Sequence, residues 1–126
     1  MKIEHIAIYT QNLDIMRTFY MRYFGASCND RYYSKSGMQS YFLTFDSGAR
    51  MELMWKPNLE IGTCGYGFTG FAHVAFSLGS RERVDTLTDQ LVQDGFRLLS
   101  APRTTGDGYY ESCVADPDGN AVELTV

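Results

Sequence analysis

The chain has 126 residues, with 15 acidic against 11 basic side chains and a formal net charge of −4, long enough for one domain with a sizeable core. That balance shows no basic stripe and excludes a nucleic-acid footprint. No apolar run approaches the ~18 residues a membrane-spanning helix needs. The opening MKIEHIAIYTQNLD turns polar too early for a secretory signal. Cys28, Cys64 and Cys113 are widely spaced without a CxxC pair, the pattern of reduced thiols in a cytoplasmic protein.

In chain order, the first element is a strand, IEHIAIYT (3–10), whose alternation puts Ile3, His5, Ala7 and Tyr9 on one side and Glu4, Ile6 and Ile8 on the other. A helix follows, with Leu13, Met16, Tyr20 and Tyr23 at three- and four-residue spacing, Asn12 as N-cap and Gly25 as the stop. The segments SCNDRYYS (27–34), QSYFLTFDS (39–47) and ARMELMW (49–55) then read as strands. In the last of them Glu52 shares a face with Arg50 and Met54, opposite Met51, Leu53 and Trp55. KPNLEIGTCGYGFTG (56–70), with four glycines and a proline, reads as a linker.

The pattern then repeats. GFAHVAFSL (70–78) aligns with the first strand, histidine on histidine, and puts Phe71, His73, Ala75 and Ser77 on one side. A second helix carries Val84, Leu87, Leu91 and Val92 as its apolar stripe, with Ser80 as N-cap and Gly95 as stop. RLLSAPR (97–103), YYESCVADP (109–117) and AVELTV (121–126) follow as strands. The turn DPDG (116–119) has proline and glycine where a tight turn wants them, as DSG has glycine before the first glutamate strand. Glu123 repeats Glu52, facing away from Val122, Leu124 and Val126. The expected architecture is α+β: two βαβββ modules, about 1–55 and 71–126, forming one domain over 1–126. Each module alone is too small to bury both faces of its sheet.

Taken singly, a strand histidine is more often a satisfied polar side chain than a ligand, and a glutamate in a terminal strand usually faces solvent. Here both histidines of the chain occupy equivalent repeat positions, and so do two glutamates in the contexts MEL and VEL. Independent accidents do not pair in this way, so His5, Glu52, His73 and Glu123 are read as one shared site. Imidazole nitrogen and carboxylate oxygen suit a divalent transition metal (zinc, nickel, cobalt, manganese or iron) better than calcium. Four protein ligands would close a tetrahedral structural site, while six-coordination leaves two positions for water or substrate. The residues alone leave both geometries open. Nine tyrosines and eight phenylalanines supply aromatic surface for core and pocket alike. Tyr9 and Met54 share faces with ligands, and Tyr109 follows TTGDG (104–108), a candidate lid; these three are expected to line a small-molecule substrate site.

The paired modules, each with a first-strand histidine and a last-strand glutamate, resemble the vicinal oxygen chelate superfamily of glyoxalases, bleomycin-resistance proteins and dioxygenases. GFAHVAFS with DPDGNAVEL is the more specific half, and IEHIAIYTQNLDIMRTFYMRYFG is similar to the usual opening. The complete His, Glu, His, Glu set is most similar to glyoxalase I. The resemblance implies a sheet curved into a barrel-like cup and a divalent metal held by His5, Glu52, His73 and Glu123. It also implies a lyase or isomerase reaction of lactoylglutathione lyase type, moving a proton between adjacent carbons of a hemithioacetal through a cis-enediolate. Glu123 is implied as the base and Glu52 as its partner on the opposite face. A homodimer is also implied, in which His5 and Glu52 of one copy meet His73 and Glu123 of the other, pairing within one chain being the alternative. Tyr9 stands where glyoxalase I tends to place an arginine, and Lys56 where it tends to place an asparagine. The resemblance therefore carries the metal set further than it carries glutathione, and Arg50, Lys56 and Arg103 are left as other anion contacts. Other implied activities are acyl-thioester epimerase, fosfomycin thiol transferase and dioxygenase; a dimeric drug-binding resistance protein is the non-enzymatic alternative.

Overall fold

Cap residues decide where the helices begin and end. α1 (Leu13–Phe24) starts at Asn12, whose Oδ1 accepts the Ile15 amide at 3.1 Å and satisfies one of the donors a first turn leaves unpaired. It stops at Gly25, where a left-handed φ of 66° turns the amide back onto the Tyr20 carbonyl. α2 (Arg81–Gln93) starts at Ser80, whose hydroxyl accepts the Arg83 amide at 3.3 Å. It closes with Gly95 N–H on the Val92 carbonyl and Phe96 N–H on the Leu91 carbonyl, the crossed pair of a Schellman ending.

The computed structural model describes residues 1–62 and 69–126; Cys64 and the middle of the expected linker lie outside the described residues. The chain forms two compact units, Met1–Gly62 and a second ending at Val126. In the first, β1 (His5–Tyr9), β5 (Arg50–Trp55), β4 (Gln39–Thr44) and β2 (Ser27–Cys28) lie side by side in that order, with β3 (Tyr32–Tyr33) also on β4. In the second, the order is β6 (Val74–Ser77), β9 (Ala121–Thr125), β8 (Tyr110–Ala115) and β7 (Leu98–Thr104). β1 runs parallel to β5 and β6 parallel to β9, while the other pairs are antiparallel. The second unit carries the βαβββ order expected from the repeat, and the first does so with its second strand split into β2 and β3. No helix among the described residues is long and apolar enough to cross a membrane.

Each sheet buries one face under its helix. In the first unit Leu13, Met16, Phe19 and Tyr20 meet Tyr41, Leu43, Met51 and Leu53; in the second Val84 and Leu91 meet Val114, Val122 and Leu124. Burying side chains of this size stabilises each by about 1.5–3 kcal/mol relative to exposure. The opposite face carries the ionisable residues. One position departs from the expected stripe of α2: Val92 is exposed, and Thr88 is buried in its stead. The Thr88 hydroxyl donates to the Val84 carbonyl at 2.6 Å and accepts from Ser112 at 2.6 Å, so it enters the core fully satisfied.

The expected strand over 27–34 is two short pieces. Asn29 breaks it: its amide donates to the Phe42 carbonyl at 3.2 Å and its side-chain Oδ1 accepts the Phe42 amide at 2.7 Å, so a side chain takes over a rung of the ladder. Pro102 is tolerated because β7 is a sheet edge with register shifts on either side of Ser100. The repeat reaches even the hairpins. Turns 34–38, 45–49, 105–109 and 116–120 each close with an amide of the first residue on the carbonyl of the fifth, and a glycine amide back onto the first. Their glycines, Gly37, Gly48, Gly108 and Gly119, have φ between 83° and 98°, a geometry that only glycine adopts without strain. At 116–120 the Asp116 carboxylate also accepts both the Asp118 and Asn120 amides, which fixes the register on which Glu123 depends.

Candidate metal centre

Both units present the same arrangement. In the parallel pair of β1 and β5, Ala7 lies opposite Glu52, so His5, two residues before Ala7, shares that face and stands diagonally beside the glutamate. In the pair of β6 and β9, Ala75 lies opposite Glu123, and His73, just ahead of the strand, again precedes the alanine by two. The small alanine leaves the space between the two functional side chains open. His5 Nε2 lies 4.0 Å from Glu52 Oε2, and His73 Nε2 lies 3.5 Å from Glu123 Oε2. Two ligands on one cation sit about 3–3.5 Å apart, given bonds near 2.0–2.2 Å, so each pair fits two coordination positions with little movement. The glutamates are the more enclosed members, 15% and 17% exposed against 36% and 40% for the histidines. Among the described residues, no group of three or more His, Cys, Asp or Glu is gathered to hold a metal; each unit brings together a pair.

The surroundings of the two pairs differ. In the first unit His5 Nδ1 bonds the Glu4 carboxylate, which also bonds Arg50. The His5 ring packs edge-on against Phe42 at 5.3 Å, and Arg50 lies over the same ring at 4.5 Å. The hydrogen bond from His5, then that from Arg50, holds the Glu4 carboxyl below the usual carboxylate range. Strand alternation put Glu4 on the other face. It lies before the first residue of β1, where alternation does not yet apply, and its side chain returns to the histidine. In the second unit Glu111 and Arg103 form an ion pair at 3.3 Å, and Arg103 also donates to the Ser100 hydroxyl at 2.6 Å. Burial pushes the Glu123 carboxyl above its ordinary pKa, His73 opposes that rise and Glu111 adds to it. Thr125 Oγ1, two residues along from Glu123, is buried without a hydrogen-bond partner among the described residues.

Of the expected lining residues, Tyr9 and Met54 are register partners one rung beyond the first pair. Lys56 Nζ sits 4.9 Å over the Tyr9 ring, so that cation is already engaged. Arg50 and Arg103 are likewise paired, with Glu4 and Glu111. Tyr109 is exposed at the end of the hairpin turn before β8. The candidate lid is that turn itself, locked by Thr105 onto Asp107 and Tyr109. Sequence reasoning missed Glu4, Phe42, Glu111 and Thr125. The one available signal was Arg50, a cation on the strand that carries Glu52, which the structure places level with His5 and pairs with Glu4.

The family profile described as "Glyoxalase/Bleomycin resistance protein/Dioxygenase superfamily" matches residues 2–124. The chain belongs to this superfamily. Solved glyoxalase-superfamily structures share its fold. A glyoxalase/bleomycin resistance protein/dioxygenase domain from Frankia sp. EAN1pec superposes with a TM-score of 0.85 at 17% identity, covering 100% of this chain and 97% of that one. A structure described as a possible glyoxalase from Bacillus cereus gives 0.74 at 25% identity, covering 100% and 99%. A glyoxalase I variant from Zea mays gives 0.79 at 22% identity, covering 98% of this chain and 44% of that one. In sequence, the Bacillus subtilis (strain 168) protein YqjT is 40% identical over 58 residues, 44% of this chain and 45% of YqjT. The match thus spans less than half of that relative. Superfamily membership and the glyoxalase-like α+β fold follow from these matches.

Proposed function

We propose that this superfamily member is a divalent-metal-dependent lyase or isomerase of glyoxalase I type, acting on a small substrate with two vicinal oxygens. One observation carries the reading: the His-x-Ala strand opposite a glutamate occurs twice, in the same register, with Nε2–Oε2 separations of 4.0 and 3.5 Å. Packing does not account for this doubled polar arrangement, because the apolar faces of the same strands already do the packing. His5, Glu52, His73 and Glu123 are the proposed ligands, each such set serving one cation, with two sites in a homodimer. A bound zinc, nickel, cobalt, manganese or iron ion would supply Lewis-acid polarisation of the substrate oxygens. By the resemblance to glyoxalase I, Glu123 is assigned the proton transfer at its carboxylate; a carboxylate is a weak base for a carbon acid, so polarisation of the substrate by the metal would supply much of the activation. Glu52 is its proposed counterpart, and Tyr9, Met54 and Tyr109 the proposed substrate lining.

The test is metal content after purification without chelators, with turnover of methylglyoxal in the presence of several thiols. His73→Ala is expected to lose both metal and activity. A fully loaded protein that turns over no such adduct would refute the glyoxalase reaction. Metal-free protein that binds an aromatic drug at micromolar concentration would replace the enzyme with a binding protein.

A further inference from the structure

The two histidines are equivalent in the fold and unequal in their support. His5 bonds Glu4 through Nδ1, and Glu4 is held from its other oxygen by Arg50, which lies level with His5 on β5. Arg50 is itself set over the Phe42 ring that flanks His5. At the matching positions of the second unit stand Ala72 and Ala121, neither of which can bond an imidazole through its side chain. We propose that Glu4, anchored by Arg50, is a positioning residue: it holds His5 in the Nδ1–H tautomer, so that the Nε2 lone pair points towards Glu52. The inference rests on the reading of His5 as a metal ligand.

The chemistry is simple. A neutral imidazole carries one proton on one of two nitrogens, and the hydrogen bond made by the first decides whether the second is available as a donor of electrons. A carboxylate accepts and cannot donate, so beside Nδ1 it selects the form with the proton there. It also raises the basicity of Nε2 and fixes the ring direction, as carboxylates behind metal-bound histidines do. The first pair is therefore the pre-set half of the site. The His73 ring has no such guide from the equivalent positions.

The experiment uses the full chain, metal-free, at about pH 8, above the ordinary pKa of a free imidazole. Two-bond proton–nitrogen correlation spectra distinguish the tautomers, and the only two histidines are assigned with His5→Ala and His73→Ala. In the parent protein His5 is expected as Nδ1–H. In Glu4→Ala it is expected to move to the Nε2–H form, and in Glu4→Gln, whose amide oxygen still accepts, to stay largely Nδ1–H. His73 is expected to be unchanged throughout. Chelator competition with zinc or cobalt is then expected to show a loss of about 10–100-fold for Glu4→Ala and a smaller one for Glu4→Gln. An Nε2–H parent, a tautomer indifferent to Glu4→Ala, or unchanged metal affinity would overturn the proposal. A parent that takes up no metal would instead overturn the proposed function, and the tautomer spectra would still decide the part played by Glu4.

Discussion

Asp14 shows how a single carboxylate ties α1 to the strands it covers. Its two oxygens accept from Arg31 at 2.5 Å and from the buried Tyr41 hydroxyl at 3.1 Å, while that hydroxyl in turn accepts from Arg17 and Arg31 at 3.0 Å each. The Arg31 hydrogen bond, and then that of Tyr41, holds the Asp14 carboxyl below the usual carboxylate range. A depressed carboxylate stabilises the native state above its unfolded pKa and loses that contribution as pH falls through its lower folded value. The parent is therefore expected to lose stability below about pH 4 more steeply than Asp14→Asn, read as urea midpoints at a series of acid pH values. Equal slopes would show that the network contributes nothing to acid sensitivity. None of this was legible in the sequence, because Asp14 on α1, Arg31 between β2 and β3, and Tyr41 on β4 meet through a register that no local pattern fixes. The ligand candidates were legible for the opposite reason: each repeats at the same place in a duplicated pattern, and the strand alternation around them is set by neighbours such as Met51, Leu53, Val122 and Leu124, all buried.

At the scale of elements, the caps and turns were readable because their chemistry is local. Asn12, Ser80, Gly25 and Gly95 end or begin a helix through bonds within a few residues, and the glycine turns do likewise. What failed were judgements that depended on a partner element. Val92 belongs to an apolar spacing but faces solvent, and Thr88 is buried because Ser112 on β8 meets it. That contact is the polar seam between α2 and its sheet. Thr88→Val leaves the Ser112 hydroxyl buried without its acceptor, and the expected loss is about 1–3 kcal/mol in urea unfolding. Adding Ser112→Ala removes the orphan as well, so the double variant is expected to recover much of that loss. A double variant no more stable than Thr88→Val would mean that packing, and not the hydrogen bond, holds the seam.

For the whole molecule the question is how two half-sites become one. Each unit on its own supplies a histidine and a glutamate, and two ligands are too few to hold a transition metal firmly against water. The proposed function needs both pairs, and the proposed homodimer gives a way to ask where they meet. His5→Ala and His73→Ala are each expected to purify without metal. If pairs meet across two copies, a dimer of one chain of each variant contains one site with all four ligands and one with neither histidine. Co-expressing the two variants under different affinity tags and isolating the mixed dimer is then expected to return about half a cation per chain, together with about half of the parent activity per chain. If both pairs come from the same chain, every site in the mixed dimer lacks one histidine, and mixing restores nothing. Exchange between copies is the arrangement that the resemblance to glyoxalase I implies, so recovery is the expected result, and an empty mixed dimer would assign the complete site to the single chain.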